Sequence, residues 1–178
     1  GNAVNTPQAF TEEYDGSSWS EGGELPAAKS LGGAAGTVNS GFLTGGFPTG
    51  TKSLEYNGSS WSETTDLPTT SNTGTIGAGT TSEAAVIGVG TSANQLNDWY
   101  TWNGSNFSEM TGLITNRGRN QGGGDYPAAL VVGGDDTPTC ISTNKTEIWD
   151  GSSWTEVAAT SQGHRYNSFA GTTNDGIV

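Results

Sequence analysis

The sequence predicts an all-β fold: a propeller of four four-stranded blades, residues 1–178 forming one domain whose last blade is closed by both chain ends. Three observations lead there. One motif returns four times at the length of a propeller blade. Each copy carries an Asp/Asn-Gly turn suited to a tight hairpin. No segment of helical period and useful length interrupts the pattern.

The motif reads YDGSSWSE at 14–21, YNGSSWSE at 56–63, WNGSNFSE at 102–109 and WDGSSWTE at 149–156. Its turns fall at 15–16, 57–58, 103–104 and 150–151, and the glycines Gly16, Gly58, Gly104 and Gly151 are 42, 46 and 47 residues apart. An aromatic (Tyr14, Tyr56, Trp102, Trp149) ends one strand, and the next resumes at Trp19, Trp61, Phe107 or Trp154. Asn, Asp and Gly tolerate the left-handed φ of hairpin turns, and the hairpin brings the two aromatics together to pack on a neighbouring blade. Leu25-Pro26 and Leu67-Pro68 mark the crossing to the next blade, replaced by Leu113-Ile114 and Val157-Ala158 in later copies.

The remaining strands lie upstream of each turn. Small-residue segments beginning at Ser30, Thr75, Asn120 and Ser168 supply innermost strands, where glycine permits close backbone approach. Apolar strands follow from Gly41, Ala84 and Ala128, and a third strand (TEEY, SLEY, TEIW) leads into the aromatic. From Gly151 through Val178 and on to Gly16 is 43 residues, within the observed spacings, so a blade shared between the two ends closes the ring and removes its edges. Closure predicts a monomer; exchange of the split blade between copies gives a homo-oligomer or filament instead.

Composition limits the partners. Only 31% of residues are hydrophobic, which borders on disorder, yet six Trp, five Tyr and five Phe supply a core of few large side chains. Eighteen acidic residues face six scattered basic ones, a net charge of -12 that repels phosphate backbones and excludes nucleic-acid binding. No apolar run reaches the roughly 18 residues of a membrane span, and no signal peptide opens the chain. Cys140, the single cysteine, forms no intrachain disulfide and reads as a small buried hydrophobe.

Over nearly the whole chain these repeats resemble kelch repeats, in particular the degenerate arrays related to the central domain of galactose oxidase. Runs such as EEYDGSSW followed by a Leu-Pro crossing look like those of marine phage and bacterial proteins. The resemblance implies a propeller with second strands finishing in Gly-Gly, kept at Gly45-Gly46 and Gly133-Gly134 and broken at Gly88-Val89-Gly90. It does not carry the oxidase chemistry. A copper site needs two histidines, and His164 is the only one.

Candidate sites are few. The loop aromatics Phe47, Trp99, Tyr126 and Tyr166 depart from the shared pattern and are the candidates for ligand binding, since an aromatic face beside Asn, Asp and Gln holds sugar rings. Asp135-Asp136 in GGDDTPT is the candidate Ca²⁺ site; no other cofactor is expected. The glutamates Glu21, Glu63, Glu109 and Glu156 stand on outermost strands, too far apart to form the paired carboxylates of a glycosidase. The expectation is a non-enzymatic structural or adhesive module, extracellular or on a virion, as in a phage fibre, decoration or appendage subunit, with protein partners or surface glycans. The alternative is a carbohydrate-active or oxidative enzyme on the same scaffold.

Overall fold

The computed structural model of the chain describes residues 6–71, 76–81, 84–87, 98–136, 139–165 and 168–178, and among them the chain is all-β with no helix. Every strand pair is antiparallel. A ribbon of β1 (Glu12–Tyr14) and β2 (Trp19–Glu21) comes first. The first complete sheet runs β3 (Gly33–Thr37), β4 (Ser40–Thr44), β5 (Ser53–Tyr56), β6 (Trp61–Glu63) in that spatial order. The second runs β7 (Ile76–Gly79), β8 (Ala84–Ile87), β9 (Trp99–Trp102), β10 (Phe107–Met110).

In the third sheet β11 (Arg117–Gly118) precedes β12 (Gln121–Gly123) and β13 (Ala129–Val132). Next, β14 (Asp135–Asp136) leaves to pair with β11, while β15 (Thr146–Trp149) and β16 (Trp154–Val157) complete the order β12-β13-β15-β16. A last ribbon joins β17 (Ala170–Gly171) to β18 (Gly176–Ile177). Among the described residues the expected fourth sheet shared by the chain ends is not formed: β1–β2 and β17–β18 stand as separate two-stranded sheets. In each, pairing between named strands is confined to one hairpin, and the first ribbon is extended by the Gln8–Lys29 bridge.

The hairpins follow from the repeated motif. Tyr14 faces Trp19, Tyr56 faces Trp61, Trp102 faces Phe107 and Trp149 faces Trp154 across the turn. Only the glycine of each turn takes a left-handed φ, +99° at Gly16 and +101° at Gly151, while the preceding Asp or Asn stays outside that region. Its side chain works instead as a cap. Asp150 Oδ1 accepts from the backbone N–H of Ser152 at 2.8 Å and Ser153 at 2.9 Å, and Asn57 Oδ1 accepts from Ser59 and Ser60 at 3.0 and 2.9 Å.

These caps predict a pH response. Backbone N–H donors aimed at the carboxylate hold Asp15 and Asp150 down to about 2, from an ordinary 3.8. A lowered folded-state value means that the stabilisation is fully present above pH 3.8 and is lost as the pH falls through about 2. NMR titration of the two carboxyl carbons is expected to show midpoints near 2, and Asp150→Asn to keep the turn while removing that titration, as Asn57 already does. Midpoints at the ordinary value would contradict the cap.

Aromatic side chains join one sheet to the next. Phe42 of the first sheet stacks on Trp102 of the second at 5.1 Å, in a cluster with Leu67 and Tyr100. Trp99 meets Trp154 of the third sheet edge-on at 4.6 Å, in a cluster with Leu113, Val131 and Trp149. The crossing leucines Leu67 and Leu113 are both buried there. The innermost strands form a row, β3 against β7, β7 against β12 and β12 against β17. Glycine makes this spacing possible: a Cβ on Gly77 would lie 2.3 Å from the Ala34 carbonyl oxygen.

The Gly-Gly pairs have a related role. Gly46 and Gly134 have φ of +85° and +102°, and a Cβ on either would come within 2.6 Å of a backbone oxygen. Their N–H groups donate to Ser71 and His164 at 2.7 Å, tying each second strand to the segment that leads into the next unit. Gly88-Val89-Gly90 lies outside the described residues.

Candidate functional site

The row of sheets leaves one face of the first sheet without a complete neighbour. There, Thr11, Glu12 and Glu13 beside β1, the inner strand β3, and the side chains of Phe42, Tyr56 and Trp61 line a pocket of about 320 Å³. In the second sheet the aromatics at the same motif positions, Trp102 and Phe107, are covered by Phe42. In the third, Trp154 is covered by Trp99. Among the described residues it is the β1–β2 ribbon that flanks the outward side of the Tyr56–Trp61 pair, through Glu13.

The pocket offers aromatic faces and a few directed polar groups. Tyr56 and Trp61 pack at 5.0 Å, and the Tyr56 hydroxyl donates to Glu13 Oε1. That hydrogen bond, with burial, raises the Tyr56 phenol above its ordinary value. Thr11 Oγ1 donates to the Gly23 carbonyl at 2.6 Å. Trp61 Nε1 is buried without an acceptor, whereas Trp154 Nε1, its counterpart in the third sheet, donates to the Thr111 carbonyl at 2.8 Å. Glu12 and Glu13 are consecutive on one strand and so face opposite sides, Glu12 exposed and Glu13 half-buried. One carboxylate faces inward, not two.

The expected site residues are placed differently. Trp99 sits in strand β9 instead of a loop and is 1% exposed, so it is a core residue with no face for a ligand. Tyr126 packs against the same cluster, and Phe47, half-exposed, bridges Ser30 elsewhere. Tyr166 lies outside the described residues. Among the described residues, Phe47, Trp99 and Tyr126 are not gathered into one exposed site. Asp135, the candidate Ca²⁺ ligand, is buried, with Oδ2 2.8 Å from Arg119 and 3.6 Å from Arg165. Guanidinium groups stand where a cation would bind, and among the described residues no group of three or more His, Cys, Asp or Glu converges on a metal position. Cys140 is exposed, not buried, in a left-handed conformation after β14.

Sequence reasoning missed the buried cations. Arg117 and Glu147 pair at 2.5 Å with both side chains fully buried, and Glu147 also accepts from the N–H groups of Ile114 at 2.8 Å and Thr115 at 3.3 Å. Burial pushes the Arg117 guanidinium down and Glu147 opposes that. Lys29, lowered by burial, donates to the carbonyls of Gly45, Thr49 and Lys52 at 2.8 to 3.1 Å. A signal was present. Lys29 and Arg117 each lie four residues beyond a crossing leucine, Leu25 and Leu113.

No family model and no curated protein matches the chain. The fold is similar to that of a solved protein titled "Structure of YjhT", with a TM-score of 0.70 at 10% sequence identity. The likeness is one of fold alone. It covers 85% of this chain and 62% of the other, so this chain spans less than two thirds of that protein's length.

Proposed function

We propose that the chain is a non-enzymatic structural or adhesive module of kelch-like propeller blades, acting by binding and assembly at an extracellular or virion surface, as in a phage fibre, decoration or appendage subunit. The observation that carries this reading is the pocket beside β1. Its walls are flat aromatic faces, a strand edge and a single inward carboxylate bound to a phenol. Such groups hold another surface. They supply neither the two carboxylates of a glycosidase nor a nucleophile paired with a base.

The surroundings favour the same reading. Stacked sheets with nearest-neighbour aromatic contacts behave as a scaffold, in which each unit needs its neighbour to bury its face. Phe10, Tyr14 and Trp19 are 70%, 50% and 66% exposed on the ribbon beside the pocket, an apolar patch of the kind that marks interaction sites. Partners are proteins of a larger assembly or surface glycans, and no cofactor is required. Three measurements on the purified chain test this: light scattering, a glycan array and metal analysis. The expected outcome is self-association above 18.2 kDa or retention of a glycan, without turnover of sugars or alcohols. Hydrolase or oxidase activity, or stoichiometric copper, would overturn the proposal.

A further inference from the structure

The four motif turns share one geometry but not one capping residue. Asp15 and Asp150 cap two of them, and Asn57 and Asn103 stand in the same place in the other two, each followed by glycine. Asn57 Oδ1 accepts from the N–H groups of Ser59 and Ser60 at 3.0 and 2.9 Å, and Asn103 Oδ1 from those of Ser105 and Asn106 at 3.1 and 2.9 Å. Asn57 has more. The Ser59 hydroxyl donates to it at 3.0 Å and that of Ser60 at 3.4 Å, whereas among the described residues no hydroxyl donates to Asn103.

This arrangement carries chemistry as well as a cap. A left-handed φ, +89° at Gly58 and +85° at Gly104, demands glycine after each asparagine, and glycine leaves the peptide nitrogen beside the amide unshielded by a side chain. Among the described residues neither glycine N–H and neither asparagine NH2 has a hydrogen-bond partner, so the chain restrains neither a nucleophile nor a leaving group. Both asparagines are exposed to water. The donors on Oδ1 draw charge from Cγ and stand at roughly the 2.7–3.1 Å from which an oxyanion is stabilised, an interaction that strengthens as the charge develops. Asn144 is the contrast: Lys145 follows it, and its NH2 is engaged with the Thr160 carbonyl at 3.0 Å.

We infer that Asn57 and Asn103 are sites of self-modification, converted to aspartate by their own turns with water as the co-reactant. The Gly58 nitrogen gives its proton to solvent hydroxide and bonds to Asn57 Cγ. The Cγ–Nδ2 bond then breaks, the amide leaves as ammonia with a proton from water, and a cyclic imide remains. Water opens it. Addition at Cγ breaks the new bond to the Gly58 nitrogen, restores the backbone and leaves a carboxylate on residue 57; addition at the backbone carbonyl carbon gives isoaspartate instead. The turn selects the first route, because its oxyanion forms on Oδ1, facing the Ser59 and Ser60 N–H groups again. Nothing is oxidised or reduced. The product is the cap that Asp15 and Asp150 already form, and each conversion adds one negative charge, so the pair takes the net charge from -12 to -14.

Peptide mapping of the intact folded chain held in mildly alkaline buffer tests this, with electron-transfer fragmentation separating aspartate from isoaspartate. Conversion is expected at Asn57 and Asn103 but not at the exposed Asn106 and Asn144, and aspartate should be the main product. Asn57 should convert about fivefold faster than Asn103, the worth of one additional hydrogen bond, and Ser59→Ala should bring the two rates together. In urea both sites are the same tripeptide, Asn-Gly-Ser, so the rates should be equal and isoaspartate should prevail. Hydroxylamine, which attacks the imide, should cut the folded chain after residues 57 and 103. An unchanged folded chain, or one that yields mainly isoaspartate, would overturn the proposal. Equal folded rates that ignore Ser59→Ala would overturn the part assigned to the turn donors, and conversion without hydroxylamine cleavage would overturn the imide.

Discussion

Glu147→Ala is expected to destabilise the chain by about 3–5 kcal/mol, the effect of leaving a buried charge without its partner. The Glu147 carboxylate serves three donors at once: the Arg117 guanidinium and the backbone N–H groups of Ile114 and Thr115. Alanine would strand all three in a site where both ionic side chains are fully buried. Against a usual domain stability of about 5–15 kcal/mol this is a large share. Urea unfolding monitored by tryptophan fluorescence measures it. A loss under about 1 kcal/mol would show that solvent reaches the pair. The double replacement Arg117→Met/Glu147→Leu separates the pair from its burial, since an apolar isostere of a buried ion pair is often neutral or better. Any deficit that persists in the double variant belongs to the N–H groups of Ile114 and Thr115.

That pair also marks the limit of the sequence reading. The strand order of the three complete sheets and the hairpin aromatics were legible, because they depend on repeated local chemistry: an Asp/Asn-Gly turn, a cross-strand aromatic pair, an apolar strand and a small-residue strand; the β11–β14 pairing was not. Whether Arg117 is solvated or buried is decided by Glu147, thirty residues away in sequence and brought near by sheet packing. Trp99 was misread for a related reason. Its segment WYTW has aromatics at both ends, and the alignment of Trp102 with Tyr56 places Trp99 at the position of Ser53, inside the strand. The pocket was beyond reach of any local pattern. Tyr56 and Trp61 carry the same motif as Trp149 and Trp154, and what distinguishes them is the two-stranded ribbon beside them.

Trp99→Ala should be the most damaging single truncation of an apolar side chain, at about 3–5 kcal/mol for a buried aromatic. Trp99 is 1% exposed and makes the edge-on contact with Trp154 that joins the second sheet to the third. The space left behind cannot close easily, because the inner strands β7 and β12 are already in contact and fix the distance between the two sheets. In a row of units stabilised by nearest neighbours, removing one interface does more than lower the midpoint: it uncouples the units on either side. Urea unfolding of Trp99→Ala is therefore expected to show both a lower midpoint and a shallower slope, the mark of lost two-state behaviour. Trp19→Ala provides the contrast, since Trp19 is 66% exposed and touches Tyr14 of its own ribbon. Its loss should stay under about 1 kcal/mol with the slope unchanged. Equal losses for the two variants would mean that the sheets are not coupled through Trp99, and the packing of the second sheet on the third would need another account.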